Sequence, residues 1–340
     1  MFRLGKTLTA IGALALATAA PVMAQDRPGE GVKITMAQPT WDTGWFQTAI
    51  YSQMLGELGY DVSEPMTLDN PAFYQSVAFG DVTMWVDGWF PLHNTYRDTF
   101  EQGAEIVGAI AKGGALQGYL VDKAAVEKFA IKTVEDFKRD DVKAAFDRNG
   151  DGKADLVACP PGWGCEEAIE HHLDAYDLRD HVNPIKANYS AAMADAVAAR
   201  EAGEPIFYYT WTPNWTVNEL KPGEDVMWIE VPFVDLLESE KGLEDAATVA
   251  GVEGCVSDPC RLGYVGNDIV SVVNSEFLAA NPAVKALFEA AEIPLTDIYA
   301  QNALMNEGDE NIAGHAEAWI AENRDQVDGW LAAAREAAAN

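Results

Sequence analysis

Apolar and polar residues alternate over 32–37, recur at three- and four-residue spacing over 45–58, and alternate again over 60–62. Alternation predicts strands, whose successive side chains face opposite ways. The wider spacing predicts a helix, and Gly59 is placed to end it. Strand, helix and strand in that order predict an α/β lobe with a mostly parallel sheet. The pattern continues with a short helix over 74–79 and a strand over 82–86, whose end delivers Asp87-Gly88-Trp89-Phe90-Pro91-Leu92-His93 into a loop. A glycine-punctuated crossover follows over 113–121, then helices over 124–130 and 133–138, the second capped by Thr133. Helices over 166–176 and 189–201 lead to a strand over 205–211 that runs into an aromatic loop, Trp211-Thr212-Pro213-Asn214-Trp215. Beyond a strand over 226–231, an acidic stretch over 236–250 reads as loosely helical, and 266–273 reads as a buried strand returning to the first lobe. Helices over 281–290, 296–305 and 311–338 close the chain, the last with Trp319 and Trp330 packed on its apolar faces.

The returning strand makes the first domain discontinuous. The expected fold class is α/β, two-lobed, with a ligand cleft between the lobes: one lobe from 25–118 and 262–340, the other from 119–261. A chain of 340 residues, 49% hydrophobic, can fill two such cores. Residues 1–24 stand apart from this fold. Arg3 and Lys6, an apolar run over 8–20 and Val22-Met23-Ala24 read as a signal peptide cleaved after Ala24. No later stretch approaches eighteen apolar residues, so the expected product is a soluble protein exported to the periplasm. The formal net charge is −31, and the signal removes two basic residues and no acidic ones. Such a surface repels nucleic acid and anionic lipid, which argues against both as partners.

Four cysteines in an exported chain suggest two disulfides with three conceivable pairings, and proximity favours Cys159 with Cys165 and Cys255 with Cys260, the second pair in a small surface loop. Zinc is disfavoured by the oxidising compartment, with only His171 and His172 nearby. In Cys159-Pro160-Pro161-Gly162-Trp163-Gly164-Cys165 the chain opens a helix, so its first free N–H groups form a small anion site beside an indole. The same residues also suit a stapled turn with a core tryptophan. Trp89 with His93, and Trp211 with Trp215, lie where strands end, the usual position of a site in an open α/β sheet. The competing reading packs Trp89 under its loop and uses His93 as a helix cap. A quaternary ammonium cannot donate a strong hydrogen bond, so aromatic faces hold it, each desolvated contact contributing about 1–2 kcal/mol. Asp147-Arg148-Asn149-Gly150-Asp151-Gly152-Lys153-Ala154-Asp155 matches the first part of a calcium loop through Asp147, Asn149, Asp151 and Asp155, although position 12 is Ala158. A tight turn held by its own side chains accounts for it equally.

Together Trp89-Phe90-Pro91-Leu92-His93, the Asp147 to Asp155 loop, Pro161-Gly162-Trp163-Gly164-Cys165, and Tyr208-Tyr209-Thr210-Trp211-Thr212-Pro213-Asn214-Trp215 with Asn218-Glu219-Leu220-Lys221-Pro222 resemble the periplasmic glycine betaine and proline betaine-binding proteins of ABC importers. The resemblance covers nearly the whole chain beyond the signal. It implies a type II binding-protein fold, a non-catalytic receptor, an ABC permease as partner and a monomer. It also implies that Trp89, Trp163 and Trp211 box the trimethylammonium group, that the amides of Gly164 and Cys165 with His93 hold the carboxylate, and that Cys159 pairs with Cys165. No cofactor is expected apart from the calcium considered above. Asp87 and Phe90 depart from the family pattern and leave the ligand open among betaine, proline betaine, choline, carnitine and dimethylsulfoniopropionate; Asp87 either adds charge attraction for a cation such as choline or turns the chain. The rival classes are a sugar-binding protein that stacks its ligand on tryptophan and an exported hydrolase using Cys165 with His171 or His93.

Overall fold

The structure, a computed structural model, describes residues 27–339, so the export segment read over 1–24 lies outside the described residues. Strands β1 (Lys33–Ile34) and β2 (Ala37–Pro39) lead into α1 (Trp45–Glu57). This helix buries Phe46, Ile50, Tyr51, Met54 and Leu55, and Gly59 turns the chain at φ 94°. β3 (Asp61–Val62) pairs with β1, and β4 (Met66–Leu68) with β2, both in parallel. α2 (Asn70–Phe79) starts where the Asp69 carboxylate accepts from the Ala72 N–H at 3.0 Å, has Pro71 in its first turn, and ends at Gly80 with φ 81°.

The main sheet of this lobe is not the mostly parallel one that the opening pattern predicts. β5 (Met84–Phe90) and β6 (Ala104–Ala115) flank β14 (Asn267–Asn274), and both pairings are antiparallel. The central strand arrives from near the end of the chain, so its direction could not be read from the local β-α-β order. β5 also outruns the predicted strand by four residues. Ile269 opposite Trp89 and Asp268 opposite Phe90 carry the ladder forward until Pro91, which has no N–H to offer. Trp89 therefore stands on a rigid strand and not in a loop.

The crossover lies at Leu116, whose N–H donates to the Thr212 hydroxyl at 3.0 Å and whose carbonyl accepts from the Thr212 N–H at 2.8 Å. β7 (Gln117–Asp122) belongs to the second lobe, as do β8 (Ala154–Val157), α3 (Gly164–Ala175), β9 (Val182–Ile185), α4 (Tyr189–Glu201), β10 (Phe207–Trp211) and β11 (Val226–Ile229). Their sheet has the order β11-β7-β10-β8-β9, and every side chain of the central β10 is buried. The acidic stretch after β11 forms two 3-10 turns, Glu238–Glu240 and Glu244–Ala247, in place of a helix. Gly242, at φ 94° between them, breaks the run. β12 (Thr248–Val249) pairs with β13 (Cys260–Arg261), and Cys260 is fully buried, so its disulfide loop is tucked against β11 instead of lying free at the surface.

After β14, α5 (Pro282–Ala290) packs on β6. The predicted long terminal helix is two helices, α6 (Ile312–Glu322) and α7 (Arg324–Ala339). The break falls at Asn323, whose amide caps the Trp319 carbonyl at 2.9 Å, because α6 packs against α1 while α7 packs against α5. Trp319 and Trp330 stack at 6.3 Å in the core, as the sequence predicts.

Gly108 lets β6 approach α5. Its φ is 66°, and a Cβ there would meet the Phe288 carbonyl oxygen at 1.8 Å. Gly108→Ala is expected to destabilise the protein by about 3 kcal/mol or more, combining backbone strain with a clash against main chain. A urea midpoint within error of the parent would contradict this packing.

Candidate functional site

A small cavity of about 30 Å3 between the lobes is walled by Trp41, Trp89, Trp163, Trp211 and Tyr209, together with Asn70, Leu92, His93, Gln117, Gly164 and Cys165. All six ligand-binding residues expected from the sequence are on this wall: Trp89 and His93 from the first lobe, Trp163, Gly164, Cys165 and Trp211 from the second. Trp215 is not. It is buried at the start of the short helix Thr216–Glu219.

Each ring is held by a local cause. Trp89 is fixed by the β5 ladder. Trp163 is the residue before α3, with extended φ −89° and ψ 147°, and the Cys159–Cys165 bridge closes the turn around it. Trp211 ends β10, and its ring lies edge to face with Trp163 at 5.6 Å. The indole N–H groups of both second-lobe residues cross the cleft, Trp163 to the Thr40 hydroxyl at 2.7 Å and Trp211 to the Thr43 hydroxyl at 3.3 Å. Ser190 to Asp42 at 3.0 Å and Thr95 to Glu167 at 2.8 Å add to the seam, so the lobes are closed upon each other.

Opposite the rings lies the start of α3. The amides of Gly164 and Cys165 have no intrahelical carbonyl to bond, and the helix dipole favours negative charge there. His93 faces this helix end so closely that a Cβ on Gly164 would stand 3.0 Å from the imidazole Cδ2. The histidine's protonation is set by its neighbours. The Trp89 N–H can only donate, and it points at Nδ1 from 3.1 Å, with the Tyr74 hydroxyl 2.8 Å from the same atom. Nδ1 is thus the acceptor and Nε2 carries the proton. The Asn70 amide sits 3.0 Å from Nε2 while its Oδ1 lacks a partner; turning that amide end for end satisfies both groups. Burial lowers the His93 pKa to about 3, which keeps the ring neutral, with Nε2–H held by the Asn70 side chain.

Five wall residues were missed by the sequence reading: Trp41, Asn70, Leu92, Gln117 and Tyr209. Trp41 carried a usable signal, since Pro39-Thr40-Trp41 follows a strand just as the other tryptophan segments do. Gln117 carried none, because only the crossover brings its amide to the cavity, where Oε1 accepts from the Tyr209 hydroxyl and Nε2 is buried without a partner.

The calcium-like loop has a different look. Asp147 accepts from the amides of Gly150, Asp151 and Gly152, Asp151 from Lys153 N–H and the Asn149 side chain, and Asp155 from Arg148, Asn149 and Asn183. All six carboxylate oxygens therefore face N–H groups, and among the described residues no cluster of three or more acidic, His or Cys side chains is arranged for a metal. The segment forms a turn capped by its own side chains and leads into β8. All four cysteines are in disulfides, so Cys165 has no thiolate for the hydrolase reading, and His171 lies elsewhere, 3.1 Å from Asp235.

Residues 32–322 match the family described as the substrate-binding domain of ABC-type glycine betaine transport systems. The glycine betaine/proline betaine-binding periplasmic protein of Escherichia coli K12 is 39% identical over 312 residues, covering 91% of this chain and 92% of that one. The glycine betaine-binding periplasmic protein OusX of Dickeya dadantii is 38% identical and covers 93% of each chain. Among solved structures, lactococcal OpuAC, closed on glycine betaine, superposes with a TM-score of 0.66 at 20% identity, covering 88% of this chain and 99% of that one. An ABC-transporter choline-binding protein in complex with choline gives 0.65 at 17%, covering 90% and 96%. At these identities the structural likeness is one of fold: two-lobed, type II.

His172, on α3 beneath the site, is bonded to the Tyr119 hydroxyl at 2.9 Å and is likewise held by burial at a pKa of about 3. Both histidines titrate lower in the fold than in the unfolded chain, near 6.5, so the unfolded chain takes up protons first. Their effect on stability is nil above pH 6.5 and grows unfavourable as pH falls toward 3. Asp87 and Glu240, raised by burial to about 7, act in the opposite sense: their contribution is full below about pH 4 and is lost as pH rises through 7. Comparing His172→Gln with the parent cancels the carboxyl terms. Between pH 7 and pH 5 the variant is expected to lose about 2 kcal/mol less than the parent in urea unfolding, and parallel pH profiles would refute a neutral buried His172.

Proposed function

The chain belongs to the family of substrate-binding domains of ABC-type glycine betaine transport systems, and from that premise we propose that it is an extracytoplasmic receptor that binds glycine betaine or proline betaine and delivers it to the permease of an ABC importer. The observation carrying this reading is the two-ended cavity. Trp89, Trp163 and Trp211, from both lobes, offer aromatic faces to a methylated ammonium that has no N–H to donate. The first amides of α3, beside the neutral ring of His93, receive a carboxylate at the other end. Choline has a hydroxyl where betaine has a carboxylate and would leave the helix end without its charge partner, so carboxylate-bearing ligands rank ahead of it. A sugar would leave the aromatic wall without the cation that it suits.

Because the wall is drawn from both lobes, closure completes it, and ligand binding and closure are one equilibrium. The receptor delivers its ligand as a monomer, and the segment over 1–24 directs it to the periplasm, the compartment named for its relatives. Among the described residues no helix is long and apolar enough to cross a membrane.

Trp163→Ala removes one cation–π face and is expected to weaken glycine betaine binding about tenfold or more in isothermal titration, with little change in melting temperature. An unchanged dissociation constant would sink the assignment of Trp163 to the cation site. No heat with betaine, proline betaine, choline or carnitine would sink the receptor reading.

A further inference from the structure

Trp41 is an additional aromatic wall of the cavity, and its ring is held differently from the others. It packs edge-on to Trp163 at 5.2 Å, to Trp85 at 5.8 Å and to His93 at 6.2 Å. Its indole N–H donates to Oδ2 of Asp87, and the Gln47 side chain donates to Oδ1 at 3.0 Å. Asp87 is fully buried on β5, two residues before Trp89 and therefore on the same face of the strand. The turn Asp42–Gly44 seals it, since a Cβ on Gly44 would stand 2.1 Å from Oδ2. The groups that donate to it, the Gln47 amide and the indoles of Trp41 and Trp89, are uncharged.

A carboxylate in such a place is costly unless a positive charge lies near. The cavity lies one indole away, and an anion bonded to the indole N–H makes the ring face more negative, which strengthens its attraction for a cation. We propose that Asp87, acting through Trp41, is the residue that makes the cavity select a cationic head group over a neutral one of the same shape. This rests on the betaine-receptor reading above and adds a specificity determinant to it. A packing role alone would be met by an uncharged residue. Burial pushes the Asp87 carboxyl up to about 7, so at pH 8 it is mostly ionised without a ligand.

The test compares glycine betaine with tert-butylacetate, which has carbon in place of the quaternary nitrogen and the same carboxylate, by titration at pH 8. In Asp87→Asn the preference for betaine is expected to fall about tenfold, through weaker betaine binding, with tert-butylacetate affinity nearly unchanged. Equal weakening of both ligands, or an unchanged ratio, overturns the proposal, because a merely structural residue serves both alike. Should Asp87→Asn fail to fold, Trp41→Phe keeps a ring and removes the N–H, and the same fall in ratio is expected. A parent protein that binds betaine beside a variant of unaltered ratio defeats this inference alone; a parent that binds no betaine defeats the receptor reading and this inference with it.

Discussion

The start of α3 is pressed so close to the opposite lobe that a Cβ on Gly164 would crowd the ring of His93 and the Leu92 side chain, and the rest of the molecule is arranged around that approach. Two chain crossings, at Leu116 and over 262–266, connect the sheet of β5, β6 and β14 with that of β7 to β11. The disulfide at Cys159–Cys165 and the self-capped loop at Asp147 to Asp155 stiffen the segment that leads into the helix. With that end rigid, the amides of Gly164 and Cys165 meet His93 in a fixed relation, and Trp163 is carried across the cleft to Thr40. A longer side chain at 164 would hold the lobes apart and open the cavity to water.

The cavity is polarised by burial rather than by ion pairs. His93 contributes a polar ring without charge, because desolvation keeps it neutral and the Trp89 amide fixes its tautomer, and the helix end contributes oriented dipoles. On the other side the rings offer their negative faces, with the Asp87 carboxylate behind Trp41. A zwitterion thus finds complementary potentials at both ends without meeting a formal counter-ion on the wall. In a dry site such dipoles act at a low local dielectric and need no reorganisation when the ligand enters. The acidic surface of the chain, at net −31, plays no part in this; it bears on solubility and on the partners that are excluded.

Much of this was legible before the fold was known. Local patterns predicted α1, α4 and the returning strand β14, because helix periodicity, caps and alternation are properties of neighbouring residues. The motif at Cys159 to Cys165 showed a helix start beside an indole, and the tryptophan segments stood at strand ends. The resemblance carried by these motifs supplied the pairing of rings with a cation and of amides with a carboxylate, and the six residues it named share one wall.

What the chain did not show was decided by partners far away in sequence. β5 runs on through Trp89 because β14, arriving some 180 residues later, extends its ladder, and the same pairing makes the sheet antiparallel. Gln117 and Tyr209 reach the cavity only through the crossover and the sheet order, and Asn323 breaks the terminal helix because its two halves pack on different elements. Asp87 is the clearest case: beside a glycine it reads either as a charge attraction for a cation or as a turn, and only the closure of Trp41, Gln47 and Gly44 around it shows that its carboxyl is buried. Secondary structure and side-chain chemistry were therefore encoded locally, whereas desolvation, which sets the protonation of His93 and Asp87, is a property of the assembled fold.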